Sequence, residues 1–117
     1  MNYILVVDDD KFIADVIKDA IEHFGYKVAV ACNGEEGLKY FNSKRFEMVI
    51  TDIKMPIMDG IEFARSIRNS DRSDTPIIAI TAYFDDNGIE RNLFNSMIEK
   101  PFKLESLEEI ISQHLES

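Results

Sequence analysis

The sequence predicts an α/β fold, a parallel five-stranded sheet covered by helices on both faces, and two observations carry that prediction. Short apolar runs alternate with stretches of helical periodicity along the whole chain, which is the pattern of repeated β-α units. Four of the apolar runs also stop at a polar residue, at Asp8, Asp52, Thr81 and Lys100. A parallel sheet places all of those ends along one edge. Right-handed crossovers leave few topologies, and for five strands we expect the flavodoxin-like order 2-1-3-4-5, a three-layer (βα)5 sandwich with its ligand crevice beside the first and third strands.

The elements follow in order. Tyr3 to Val7 is a continuous apolar run, read as a strand buried on both faces. Phe12, Ile13, Val16, Ile17, Ala20, Ile21 and Phe24 then recur at helical spacing, with Asp10 as N-cap and Gly25 as the stop. Tyr26 to Ala31 reads as the second strand, and Asn33-Gly34 turns into a helix over Glu35 to Ser43. Cys32, the single cysteine, is expected to be a small buried residue at a strand end. Glu47 to Thr51 is the third strand, ending at Asp52, and a helix runs from about Gly60 to Asn69. Asp59-Gly60 reads as helix-start chemistry. Pro76 opens a fourth strand, Ile77 to Ile80, with Thr81 at its end. Asp85-Asp86-Asn87-Gly88 interrupts the pattern before a short helix, Ile89 to Phe94, and Met97 to Glu99 forms a weak fifth strand. Lys103 to Leu115 closes the chain as a helix.

At 117 residues the chain fits one domain, 1–117, with no linker, repeat or output domain. The net charge of −9, from 22 acidic and 13 basic residues, repels nucleic-acid phosphates and anionic membranes. One cysteine excludes an internal disulfide and a cysteine-held zinc. No apolar stretch approaches the roughly 20 residues of a membrane span, and Asp8, Asp9 and Asp10 break the N-terminal apolar run too early for a signal peptide. We expect a cytoplasmic protein.

The strand ends bring three carboxylates (Asp8, Asp9 and Asp52), the Thr81 hydroxyl and the Lys100 ammonium to one edge. Two like charges ~4 Å apart repel by about 4 kcal/mol at an effective dielectric of 20. Three carboxylates therefore raise one another's pKa or draw in a cation. Hard oxygen ligands with open positions suit Mg²⁺, or Mn²⁺ in its place. Three carboxylates, one ammonium and a divalent cation cancel formally, which leaves room for an anionic group such as a phosphoryl. A carboxylate is a competent nucleophile for phosphoryl transfer. Lys100 and the metal would stabilise the transferring oxygens, and Thr81 would donate to one of them.

Each residue alone has a plainer explanation. A run of three Asp is a common solvated cap, Thr81 an ordinary strand end, and Lys100 a surface lysine. Pro101 sharpens the last case, because it holds the preceding residue extended and admits a cis bond. Together, in this order on four strand ends, the residues outweigh those explanations.

Val6-Val7-Asp8-Asp9, Thr51-Asp52-Ile53-Lys54-Met55-Pro56-Ile57-Met58-Asp59-Gly60, Ile80-Thr81-Ala82 and Lys100-Pro101-Phe102 resemble the response-regulator receiver domain of two-component signalling, over essentially the whole chain. The resemblance implies that Asp52 accepts a phosphoryl group from a phosphohistidine on a sensor histidine kinase or histidine phosphotransfer protein. It implies Mg²⁺ held by Asp9, Asp52 and the backbone carbonyl of Lys54, with Asp8 assisting through water. Thr81 and Lys100 match the switch hydroxyl and the phosphate-binding lysine, and Ala82 the small residue beside the phosphate. Lys54 and Tyr83 lie where the family varies its dephosphorylation rate; Tyr83 is expected to shield the acyl phosphate from water. Output would pass to an unknown downstream protein through contacts on the face of the fourth helix, fifth strand and last helix. Met1 favours a stand-alone regulator or an N-terminal receiver.

The sequence departs from the family pattern at Met97, where an aromatic residue usually reports phosphorylation, and at Leu93 and Phe94, where Gly-Ala is common. Bulky residues there are expected to change how the fourth helix ends and to fill space used by the switch. Two other classes stand beside the phosphoacceptor. A receiver-like interaction module with weakened switching is favoured by Met97. An aspartate-nucleophile phosphatase would want an acid two residues after Asp52, where Lys54 stands, so the chain is expected not to be an enzyme beyond its own phosphorylation and dephosphorylation.

Overall fold

A computed structural model describes residues 3–82 and 91–115. The elements run β1 (Tyr3–Val7), α1 (Lys11–His23), β2 (Lys27–Ala31), α2 (Gly34–Ser43), β3 (Met48–Asp52), α3 (Gly60–Arg68), β4 (Ile77–Thr81), a 3₁₀ turn (Arg91–Leu93), β5 (Ser96–Glu99) and α4 (Leu104–Leu115). The five strands are parallel in the order β2-β1-β3-β4-β5, as expected. Of the short helix expected over Ile89 to Phe94, the described part is the 3₁₀ turn.

Local chemistry sets the helix ends. Asp10 accepts from the N–H groups of Phe12 and Ile13 and caps α1. Gly25, at φ 102°, takes the left-handed conformation that stops α1. Asn33 caps α2 by accepting from the Glu36 N–H, while the Glu36 carboxylate accepts from the Cys32 N–H. Asn33 thus satisfies a backbone donor that the first turn leaves without a partner, and Glu36 satisfies one in the residue before the cap. Asp59 caps α3 through the Glu62 N–H.

Cys32 corrects one expectation. It is exposed, not buried, because β2 ends at Ala31 and the next residue already belongs to the capping turn of α2.

Strand alternation divides the core into two layers. Leu5, Val7, Val49, Ile77 and Ala79 point to one face and meet Phe41 of α2 and Phe63, Ala64 and Ile67 of α3. Ile4, Val6, Ile50, Ile78 and Ile80 point to the other and meet Ala14, Ile17 and Ile21 of α1 and Leu107 and Ile111 of α4. Burying a side chain such as Phe63 or Ile17 completely contributes about 1.5–3 kcal/mol, and β3 and β4 are buried along their full length. These two central strands are the fixed frame from which Asp52 and Thr81 project.

Candidate functional site

Register brings the strand ends together. Val7 pairs with Thr51, so Asp8 and Asp52 follow side by side. Asp52 pairs with Ile80, which puts Thr81 one step beyond it on the neighbouring strand. Lys100 follows β5, where its N–H donates to the Thr81 carbonyl at 2.9 Å. The Lys100–Pro101 peptide bond is cis.

The side chains converge as expected. Carboxylate oxygens of Asp8, Asp9 and Asp52 lie within 4.8 Å of one another. Lys100 Nζ is 3.1 Å from Asp52 Oδ2 and 3.4 Å from Asp8 Oδ2. Asp52 Oδ1 accepts from the Ile53 N–H at 2.7 Å, and Asp8 Oδ1 from the Asp10 N–H at 2.9 Å. Each buried carboxylate therefore has one oxygen fixed by backbone and the other turned to the ammonium. Thr81 is fully buried.

The electrostatics show a site short of positive charge. Burial pushes the Asp8 carboxyl up to about 6; the Asp10 N–H opposes this, the charge of Asp52 adds to it, and Lys100 offsets part. For Lys100, burial alone would lower the ammonium pKa. Its hydrogen bond to Asp52 and the charges of Asp52 and Asp8 outweigh burial and leave it raised. One ammonium shared between two buried carboxylates and a third, exposed one leaves the cluster net negative. A set of hard oxygen donors in that state fits Mg²⁺.

The remaining candidates fall around this centre. Ala82 is exposed and lines, with Phe12, Ile13, Val16, Pro101 and Leu104, an open apolar groove of about 500 Å³ that Lys100 borders. The Lys54 side chain is exposed. Met97 is half-buried beside the α2/α3 layer, and Leu93 and Phe94 are buried within that layer. The bulky pair thus forms part of the core. Tyr83 and the Asp85–Gly88 stretch lie outside the described residues.

Two supports were not legible as such in the sequence. Gly60, read as helix-start chemistry, is a packing requirement: a Cβ there would lie 2.1 Å from the Asp52 carbonyl oxygen, and the Gly60 N–H donates to the Ile53 carbonyl at 2.8 Å. Arg68 is the other. Its guanidinium donates to the carbonyls of Leu93, Ser73 and Thr75 and to Asn95 Oδ1, so it joins the end of α3 to the segment entering β5. Asn95 Oδ1 also accepts from the Ile77 N–H, a chain of partners that spacing does not reveal.

Residues 4–112 match the family described as the response regulator receiver domain. The chain belongs to that family. The receiver is 35% identical over 109 residues to the transcriptional regulatory protein CrdR of Helicobacter pylori, an alignment covering 90% of this chain and 51% of CrdR. It is 37% identical over 111 residues to the probable transcriptional regulator ycf27 of Cyanidium caldarium, covering 92% of this chain and 43% of that protein. The receiver thus spans about half the length of these curated relatives. Among solved structures, the response regulator TrrA of Thermotoga maritima, in complex with Mg²⁺–BeF, superposes with a TM-score of 0.89 at 36% identity, covering 98% of this chain and 100% of that one. The chemotaxis protein CheY4 of Vibrio cholerae gives 0.88 at 28% identity, covering 98% and 99%. The expected family and fold are both borne out.

Proposed function

We propose that this receiver accepts a phosphoryl group on Asp52 from a phosphohistidine of a histidine kinase or histidine phosphotransfer protein, with Mg²⁺ bound beside it. The observation that carries the reading is the state of the Asp52 carboxylate. Its Oδ1 is held by the Ile53 N–H and its Oδ2 lies 3.1 Å from Lys100 Nζ, among carboxylates that fit a divalent cation. A carboxylate oxygen of Asp52 forms the new bond to phosphorus, the phosphorus–nitrogen bond breaks, and the histidine keeps the electron pair. Asp8, Asp9, Asp52 and the Lys54 carbonyl are the residues that would hold Mg²⁺, which when bound neutralises charge on the phosphoryl oxygens. Lys100 stays beside Asp52 to pair with the incoming anion, and Thr81 donates its hydroxyl. Water later hydrolyses the acyl phosphate. An apolar groove beside Lys100 supports a protein donor over a small one.

In this reading the receiver turns over no external substrate. Lys54 stands where an aspartate-nucleophile phosphatase would want a second acid. Phosphorylation adds negative charge at Asp52 and signals through protein contacts. No helix of the described residues is long and apolar enough to cross a membrane, which agrees with a cytoplasmic site of action. Relatives named as transcriptional regulators are longer than this chain; DNA binding in a longer protein would fall to a segment other than this acidic receiver. The interaction-module alternative is not favoured, since Asp8, Asp9, Asp52, Thr81 and Lys100 are all present and in place.

The test is intact-mass analysis after incubation with acetyl phosphate and Mg²⁺. Wild type should gain one phosphoryl group and Asp52→Asn none. A label on Asp52→Asn, or a wild type that stays unlabelled with both acetyl phosphate and phosphorylated kinases, refutes the assignment.

A further inference from the structure

The loop between Asp52 and α3 carries an unusual turn. The Met58 N–H donates to the Pro56 carbonyl at 2.8 Å, closing a three-residue γ-turn with Ile57 at its centre. Ile57 has φ 72°, which makes this the rare, strained form of the turn. Left-handed backbone is unfavourable for any side chain but glycine, and most of all for a β-branched one. Packing does not compensate, because the Ile57 side chain is 74% exposed.

The turn is held from outside the loop. The Gly34 N–H donates to the Met58 carbonyl at 3.0 Å. Gly34 opens α2, so this bond satisfies one of the donors that a helix N-terminus leaves without a partner. It also demands glycine at 34, since a Cβ would lie 2.7 Å from the Met58 oxygen and 2.8 Å from Met58 Cγ. The base of the loop is closed by the Gly60 N–H on the Ile53 carbonyl. Between these ties, Lys54, Pro56 and Ile57 are exposed and contribute little packing. Strain that persists because its surroundings over-determine it is characteristic of a functional site.

We infer that Gly34, acting through the Met58 carbonyl and the Ile57 turn, is a positioning residue that keeps the 54–58 loop in the shape that binds the metal. The inference rests on the Mg²⁺ reading above. Of the proposed metal-holding groups, the carboxylates sit at the end of a buried strand or within two residues of one, whereas the Lys54 carbonyl belongs to this loop. Met55 and Met58 pack against the α2/α3 layer, and the two ties and the turn between them set the backbone shape of the segment that carries this carbonyl.

The experiment measures the melting temperature of the full chain against MgCl₂ concentration, because binding to the native state raises it by mass action. Gly34→Ala drives a methyl group into the Met58 carbonyl. Ile57→Pro leaves Gly34 untouched but fixes φ near −65° and forbids this positive-φ form of the turn. Both should weaken the apparent Mg²⁺ affinity by about 10-fold, the scale on which outer supports of a metal site act. Ile57→Gly keeps the turn and removes its strain. It should raise the metal-free melting temperature by about 3 °C and leave Mg²⁺ affinity within about 2-fold of wild type. If Gly34→Ala does not fold, Ile57→Pro alone decides. A lower metal-free melting temperature with unchanged Mg²⁺ affinity in Ile57→Pro overturns the inference and leaves the turn a structural feature only. A wild type whose melting temperature ignores Mg²⁺ refutes the metal reading and this inference with it.

Discussion

Replacing Gly60 with alanine adds one methyl group at the most crowded point beside the site. The new Cβ would stand 2.1 Å from the Asp52 carbonyl oxygen and 3.0 Å from Ile53 Cα. Even close carbon–oxygen contacts keep roughly 3.3 Å, so α3 and the end of β3 must separate by about 1 Å. Nothing cheap can yield, because both opposing atoms are backbone of a fully buried strand end. Separation breaks the Gly60 N–H to Ile53 carbonyl bond of 2.8 Å, a loss of about 1–3 kcal/mol when the groups stay buried. Overpacking adds about 1–3 kcal/mol, and the better helix propensity of alanine returns at most about 1 kcal/mol. The net expectation is a destabilisation of about 3 kcal/mol, or roughly 12 °C in melting temperature for a chain of this length. Urea unfolding followed by circular dichroism, with an unchanged m-value, measures it. Gly60 does not have positive φ, so conformational strain does not enter and space alone is tested. A loss below about 1 kcal/mol would show that α3 can move away from Asp52 freely, and the packing argument would fall.

Three further expectations concern charge and anchoring. With Asp8 raised to about 6 from an ordinary 3.8, the folded state binds more protons than the unfolded one between those values. This group's contribution to stability therefore falls as pH rises from 4 to 6, the reverse of a salt-bridged aspartate. Two units correspond to about 3 kcal/mol, which we discount to about 1–2 kcal/mol because the crevice opens to solvent. In EDTA, Asp8→Asn should be more stable than wild type by that amount at pH 7 and by little at pH 4; a gap independent of pH would contradict the assignment. Since the charge of Asp52 contributes to that rise, Asp52→Asn should lower the Asp8 pKa measured by NMR titration without metal, and an unchanged value would mean that the two carboxylates do not interact. Arg68→Ala removes four hydrogen bonds to Leu93, Ser73, Thr75 and Asn95 and should cost about 2–4 kcal/mol in urea unfolding; a loss under about 1 kcal/mol would show that the clamp is replaced by water.

The fold was legible because the chain states it twice, in the alternation of apolar runs with helical periods and in the polar residue that ends four of the five runs. The same punctuation exposed the site: Asp8, Asp52, Thr81 and Lys100 each follow or end a strand, and parallel pairing does the rest. What stayed hidden depends on distances between segments remote in sequence. Gly34 and Gly60 are one letter each, and nothing in the letter says that Met58 or Asp52 stands where a methyl group would go. Ile57 gives no sign of positive φ, since a β-branched residue is the last expected there. Cys32 lies a single step beyond the end of its strand, in a capping turn, and that step decides between burial and exposure. The partners of Arg68 lie up to 27 residues away, beyond the reach of any local pattern.

Strand β5 lies at the edge of the sheet and has one neighbour, β4. Its adjacent residues Met97 and Ile98 nonetheless serve different halves of the interior, the first touching the layer of Leu93, Phe94 and α3, the second the layer of Leu107 and Ile111. Lys100, the cation that meets Asp52, is two residues further along the same backbone. The residue that pairs with Asp52 therefore continues a strand that is held by both helical layers. A substitution at position 97 removes one of those two anchorages and leaves the other, at Ile98, in place.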